Sequence, residues 1–307
     1  LEELARFGRN GEGGIDRPVY SQAWHAARDQ LRIWFEAAGL TSHSDAAGNL
    51  FGRLAGDEPG VILTGSHLDT VPNGGTLDGA LGIVAGLAAV EGLAKLGHPR
   101  RSIEVVAMCE EEGSRFSANY WGARAVTGLI RPEELDALVD AAGTTIGQAM
   151  ASLGLPAGKL AQAQRHDVRA FLELHIEQGP VLERAGVEVG IVTAITGQFR
   201  ALATVTGRAD HAGTTPMAMR SDALLAAAEM ALSINELALE FEAPAVATVG
   251  RLEVSPGAIN VVPGSAVFSV DARHPDANRL AALTSTIQAR CEETAAARGV
   301  ELSWQPL

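Results

Sequence analysis

The sequence predicts an α/β fold followed by a second, α+β unit, and three observations predict it. Aromatic residues make up only 5% of a chain that is 47% hydrophobic, a composition suited to closely packed helices on a sheet. Short apolar runs end repeatedly on polar residues, as parallel strands do where they meet a functional crevice. From about Ile191 the texture changes to alternating β-prone runs around two long helical stretches. The 307 residues suffice for one or two domains with a large core, and the division is placed near Gly197, giving units 1–197 and 198–307.

Ser21 is placed to cap a helix whose apolar residues Trp24, Leu31, Trp34 and Phe35 fall at roughly helical spacing, and Gly39 supplies a left-handed stop. Residues 45–49 are turn-rich, and residues 61–64 read as a short buried strand running into Gly65-Ser66-His67-Leu68-Asp69. Residues 79–96 read as an Ala/Gly-faced helix ended by Gly97 and Pro99, and residues 103–109 as the next strand, completing a βαβ unit. Its strand ends place His67 and Glu110-Glu111-Glu112 in one crevice. Residues 135–158 read as one Ala-rich helical region, and residues 171–175 as a third strand that finishes on polar residues. In the second unit, strands are expected over 201–206, 245–252 and 266–272, and helices over 222–239 and 277–297.

A net charge of −13 argues against broad attraction to phosphate backbones or anionic membranes, so no nucleic-acid partner and no membrane is expected. Cys109 and Cys291 lie far apart without a CxxC spacing, which indicates neither a disulfide framework nor a thiolate zinc site and fits a reducing cytoplasm. Glu2, Glu3 and Arg6 stand where a secretory signal needs an apolar run, and no later stretch reaches transmembrane length. A soluble, cytoplasmic protein is the expectation.

The chemistry-bearing residues each have an ordinary reading beside the functional one. His67 alone is a hydrogen-bonded strand-end imidazole, and Asp78 before Gly79 is turn chemistry. Together with Asp69 they offer an imidazole for a first-row metal, a carboxylate to orient its other nitrogen, and a loop that returns a second carboxylate. Glu110, Glu111 and Glu112 suit the start of an acidic helix, yet three adjacent carboxylates repel unless something positive sits among them. Adjacent glutamates can divide labour, one holding a metal and the next acting as general base. Both reach one site only if the chain turns there, with Gly113 providing the freedom. His175 reads alternatively as a buried, hydrogen-bonded imidazole, and Asp210-His211 as a turn leading to a helix.

On these segments the chain resembles the M20 metallopeptidase superfamily, in its hydantoinase/carbamoylase branch of allantoate amidohydrolases and N-carbamoyl-L-amino acid hydrolases. The matching stretches are Gly65-Ser-His-Leu-Asp-Thr70, Gly74-Gly-Thr-Leu-Asp-Gly79, Glu110-Glu-Glu-Gly-Ser-Arg-Phe116, Leu174-His-Ile-Glu-Gln-Gly179, His211-Ala-Gly-Thr-Thr-Pro216 and Asn260-Val-Val-Pro-Gly264. They span most of the chain in family order. The resemblance implies a metal-dependent aminopeptidase-like catalytic domain with an inserted α+β lid and dimerisation domain, and two divalent ions, zinc or manganese. It makes His67, Asp78, Glu112 and His175 ligands, with Asp78 bridging, and makes Glu111 the base. It implies that His211 comes from the partner subunit of a homodimer to stabilise the oxyanion, and that Arg200, Asn260 and Arg273 contact the substrate carboxylate. An arginine's planar fork suits that contact, best at Arg273, while Arg200 reads equally as a surface residue.

One departure stands out. The family's catalytic domain resumes after the lid and supplies a last histidine ligand, whereas His274 is the only histidine after His211 and does not match that segment. The chain is therefore expected to be part of a longer protein whose catalytic domain continues. The implied reaction is hydrolysis of a ureido or carbamoyl C–N bond with release of ammonia and CO2. Phe116-Ser-Ala-Asn-Tyr-Trp-Gly122 resembles the allantoate enzymes, so allantoate is expected ahead of N-carbamoyl-L-amino acids and ureidoglycolate. A metal-free binding or assembly protein on the same fold is the rival from another class, and it predicts loss of the base or ligands.

Overall fold

In the computed structural model, which describes residues 1–307, Ser21 Oγ accepts a hydrogen bond from Trp24 N at 3.1 Å and starts helix α1 (Gln22–Ala37). Its buried residues Trp24, Ala27, Leu31 and Phe35 follow the helical period. The chain leaves α1 through Gly39 at φ 79°. Strands β1 (Thr41–Ser44) and β2 (Leu50–Leu54) are joined by a turn in which Asp45 Oδ1 accepts from the amides of Ala47, Gly48 and Asn49. Strand β3 (Glu58–His67), helix α2 (Ala80–Ala94) and strand β4 (Arg101–Met108) then form the expected βαβ unit, with β3 and β4 parallel. Helices α3 (Trp121–Thr127), α4 (Glu134–Ala137) and α5 (Ile146–Ser152) lead to strand β5 (Val168–Leu172) and the short helix α6 (Val181–Ala185).

The sheet order β1-β2-β4-β3-β5 sets β3 between β4 and β5, parallel to both. The carboxyl ends of three neighbouring strands therefore open on one rim, where parallel sheets present functional groups. Val105 and Val106, adjacent on β4, enter different hydrophobic clusters, as the pleat requires. The first cluster holds Trp24, Phe35, Ile83 and Trp121, and the second holds Phe51, Leu63 and Met108.

Within the first unit, three details differ from the sequence reading. Strand β3 continues to His67, so the histidine ends the strand itself. Strand β5 covers 168–172 instead of 171–175, because its register is set by pairing with Val61–Thr64, and His175 lies on the connection beyond it. The 135–158 region is broken: Asp140 Oδ1 accepts from Ala142 N and Thr144 N and folds a turn. Thr145 and Gln148 then form a capping box that starts α5, and a 3-10 segment follows at Ala157–Ala163.

The compact units are Leu1–Val187 and Glu188–Leu307, a division that falls earlier than residue 197. The second contains strands β6 (Gly197–Thr206) and β7 (Asp210–His211), helix α7 (Ala223–Glu240), and strands β8 (Val246–Thr248), β9 (Leu252–Ser255), β10 (Val261–Val262) and β11 (Ser265–His274). Helix α8 (Ala277–Arg298) and strand β12 (Glu301–Pro306) end it. Its antiparallel sheet runs β12-β6-β11-β8, with β9 also on β11, while β7 and β10 pair separately. Residues 245–252 thus give two strands where one was expected. Alternate residues of β11 are buried, and Phe268 and Val270 share a core with Met230 and Ile234 of α7 and Leu283 and Ile287 of α8. No helix is long and apolar enough to cross a membrane.

Candidate metal centre

His67, at the end of the central strand, is 2% exposed. Its Nδ1 lies 2.9 Å from the carbonyl oxygen of Asp69, which leaves Nε2 facing Asp78 Oδ1 at 3.8 Å and Glu111 Oε2 at 4.0 Å. The orienting group of this imidazole is thus the Asp69 carbonyl, whereas the sequence reading expected its carboxylate. That carboxylate, 4.0 Å from Nδ1 at Oδ1, instead accepts from Glu111 N (3.1 Å) and Glu112 N (3.2 Å). Buried Asp69 therefore ties the end of β3 to the segment after β4.

Asp78 returns to His67 because Gly79 permits the approach. Gly79 has φ 62°, and a Cβ there would meet the His67 ring at 2.6 Å. Asp78 Oδ2 accepts from Gln178 Nε2 at 2.9 Å, while Oδ1 is buried without a hydrogen-bond partner. That orphaned oxygen lies 3.3 Å from His175 Nε2 and 3.8 Å from His67 Nε2, and the two rings stack with centroids 5.8 Å apart. Ligands about 2.1 Å from a tetrahedral ion sit roughly 3.4 Å apart. A buried carboxylate oxygen with no donor, held between two imidazole nitrogens at such spacings, fits a divalent cation.

The glutamates reach the same rim through a turn. Glu110 adopts φ 47° and Gly113 φ 63°, and Glu110 Oε1 accepts from Arg115 N (3.2 Å) and Phe116 N (2.9 Å). The expected turn is made by Glu110 as well as by Gly113. Donor atoms of His67, Glu111 and Glu112 all lie within 4.8 Å of one another, as do those of His67, Asp78 and His175. His67 is common to both groups, so the five residues gather as two overlapping triads.

Crowding of carboxylates in a poorly solvated crevice shifts their titration. Burial, followed by Asp69, pushes Glu110 up to about 7 against the amides of Phe116 and Arg115. Burial likewise raises Asp69, Glu111 and Glu112, each against the pull of His67. For His67 burial acts downward, but Asp69 and Glu111 outweigh it and the imidazole is raised. All five groups hold protons in the folded state that the unfolded chain has released, so stability is present at low pH and lost as pH rises through the folded values. The melting temperature of the metal-stripped protein is expected to fall from about pH 5 to about pH 8, and a divalent cation added at the upper end to restore it. A flat or rising profile of the stripped protein in a thermal-shift series contradicts this.

The remaining expected residues lie on the second unit. His211, on β7, is exposed and accepts from Gly213 N at its Nδ1 (3.0 Å), and the Asn260 carbonyl accepts from Ala212 N (3.0 Å). Arg200 and Arg273 both turn to Asp271, a partner absent from the sequence reading. Arg273 Nε and Nη2 donate to its two oxygens at 2.8 and 3.0 Å, and Arg200 Nε, directly across the strands, donates at 2.8 Å. Two guanidiniums share one carboxylate, leaving a single positive charge. Sequence reasoning also missed Gln178, which holds Asp78 from a φ of 57°, and Glu173, whose carboxylate accepts from Ser66 Oγ. Their place within the Leu174–Gly179 motif and beside it was the available signal.

The model of peptidase family M20/M25/M40 matches residues 63–296. An N-carbamoyl-L-amino-acid amidohydrolase of Paenarthrobacter aurescens is 44% identical over 305 residues, covering 98% of this chain and 74% of that protein. An allantoate amidohydrolase of Escherichia coli (strain K12) is 42% identical over 300 residues, covering 95% and 73%. Among solved structures, an amidase of the hydantoinase/carbamoylase family from Burkholderia multivorans superposes with a TM-score of 0.90 at 36% identity, over 100% of this chain and 75% of that one.

Proposed function

The chain belongs to peptidase family M20/M25/M40, and from that premise we propose that it serves a metal-dependent amidohydrolase that cleaves ureido or carbamoyl C–N bonds of small molecules. The observation that carries the reading is the orphaned Asp78 Oδ1 between His67 and His175. His67, Asp78, Glu112 and His175 would hold two divalent ions, zinc or manganese, with Asp78 shared. Bound cations would acidify water toward a pKa near 7 and stabilise negative charge on a carbonyl oxygen.

The chain's own groups supply the rest. Glu111, raised by burial and facing His67 Nε2, is the proposed base that accepts a proton from the attacking water and delivers it to the departing nitrogen. Asp69 fixes its amide and thereby its reach. His211 is the proposed partner of the developing oxyanion, and Asn260, Arg200 and Arg273 of the substrate carboxylate; Arg273 has its Nε and Nη2 edge already set by Asp271. A homodimer is supported by Leu225, Leu232 and Leu239, exposed at seven-residue spacing on α7 beside the edge strand β8. The buried free thiols Cys109 and Cys291 support a reducing, cytoplasmic setting.

Allantoate is the proposed substrate, on the 116–122 segment and the 42% identical relative; an N-carbamoyl-L-amino acid is the second reading, on the 44% identical one. The test is ammonia release by the intact, metal-loaded protein over allantoate, ureidoglycolate and a set of N-carbamoyl-L-amino acids, with sedimentation of the same sample. The expected result is turnover greatest on allantoate by a dimer. Highest turnover on an N-carbamoyl amino acid selects the second reading, and no ammonia from any of them refutes the reaction class.

A further inference from the structure

Arg17 is 2% exposed and forms no ion pair, an unusual state for a guanidinium. Its Nε donates to the carbonyl of Leu68 at 2.7 Å, and its Nη1 to the carbonyls of Leu4 (3.0 Å) and Phe7 (3.3 Å). Its backbone grips the same place: Arg17 N donates to Thr70 Oγ1 (3.0 Å) and Thr70 N to Arg17 O (3.2 Å). Leu68 and Thr70 flank Asp69, the residue that clamps Glu111 and Glu112. Further along, Ile15 and Gly74 exchange both backbone hydrogen bonds (3.0 and 2.9 Å), and Asp16 Oδ1 accepts from Asn73 N (2.6 Å), on the stretch leading to Asp78.

We infer that Arg17 is a positioning residue: its guanidinium fastens residues 4–17 to the 68–74 segment and so sets where Asp69 and Asp78 stand in the metal centre. The inference rests on the metal-centre reading above. Three carbonyls satisfy donors that would otherwise be costly to bury. Burial pulls the group down to about 10, opposed by the Asp69 charge, so it remains protonated at neutral pH. Only an arginine reaches three carbonyls in two chain segments with one planar head; a lysine keeps the charge and loses the fork.

Charge and position make opposite predictions here. Removing a positive charge beside carboxylates would draw a divalent cation in more tightly, whereas loosening the loop that carries two of them weakens the site. The experiment is calorimetric titration of the chelator-stripped, intact protein with Zn2+, paired with Co2+ absorption spectra, for the wild type, Arg17→Lys and Arg17→Met, each checked for fold by circular dichroism. The wild type is expected to bind, and both variants to bind about 10- to 100-fold more weakly, the usual effect of losing an outer partner of a metal site, with altered cobalt bands. Wild-type affinity in either variant, or tighter binding by Arg17→Met, overturns the inference while leaving the metal centre standing. Absence of binding by the wild type overturns the metal centre and the inference with it. If the Arg17 variants do not fold, Thr70→Val removes the hydroxyl that accepts from Arg17 N and donates to the Ile15 carbonyl (3.0 Å each), loosening the same junction, and it must show a several-fold loss of Zn2+ affinity; an unchanged value overturns the inference.

Discussion

Replacing Glu111 by Gln is expected to lower turnover by about 10² to 10⁴ while the divalent metal stays bound. The substitution keeps size and shape, and the Glu111 amide still donates to Asp69, because that bond is made by the backbone. What disappears is the oxygen that faces His67 Nε2 at 4.0 Å and would carry the proton. KM should move little, since no substrate contact is removed, and the loss should fall on kcat. Glu112→Gln should do the reverse and deplete the metal, a neutral amide being a poorer ligand than a carboxylate. Metal content by emission spectroscopy beside steady-state rates separates the two, and if Glu111→Gln sheds metal while Glu112→Gln loses only rate, the two roles must be exchanged.

Asp78→Asn is the second large effect. Asp78 Oδ1 has no hydrogen-bond donor in the protein and stands between two imidazoles, so a neutral amide there removes the charge shared by both proposed ions. Loss of affinity should exceed the roughly 10- to 100-fold of an outer partner, and activity should fall with it. The metal-stripped variant should keep its fold by circular dichroism, because asparagine keeps the size of Asp78 and its amide oxygen can still accept from Gln178. A folded variant that keeps full metal content and rate would make Asp78 a structural residue only.

Much of this site was legible in the chain because parallel strands put chemistry at their carboxyl ends. His67, the 110–112 glutamates and His175 each follow an apolar run, and three neighbouring strands bring them to one rim. Less was legible where backbone groups decide. That Asp69 spends its carboxylate on two amides, and gives His67 only a carbonyl, depends on a turn set by Glu110 at positive φ, which no side-chain pattern announces. Arg17, in a Gly- and Pro-containing stretch, looks like a surface residue until its carbonyl partners are seen. The extent of β5 was less legible because an apolar run does not fix which of its residues pair, and the Ala-rich 135–158 stretch conceals the break at Asp140. The second unit's helices, expected over 222–239 and 277–297, stand at Ala223–Glu240 and Ala277–Arg298, and the structure adds their caps, Asp222 and Asp276 each accepting from amides of the following turn.

The pairing of β3 with β5 has a consequence for the order of events during synthesis. His67 is made early and His175 much later, and the two meet only when Val61–Thr64 has accepted Val168–Leu172 as its parallel neighbour. Parallel pairing of remote segments is slow, since loop closure must precede any reward from contact. At the proposed metal centre, a growing chain that has emerged only as far as α5 would present a single imidazole, His67, beside its carboxylates, and so a weak and unselective set of ligands. On that reading the proposed ligands of this chain would come together late, when β5 docks and brings His175 to His67 and Asp78.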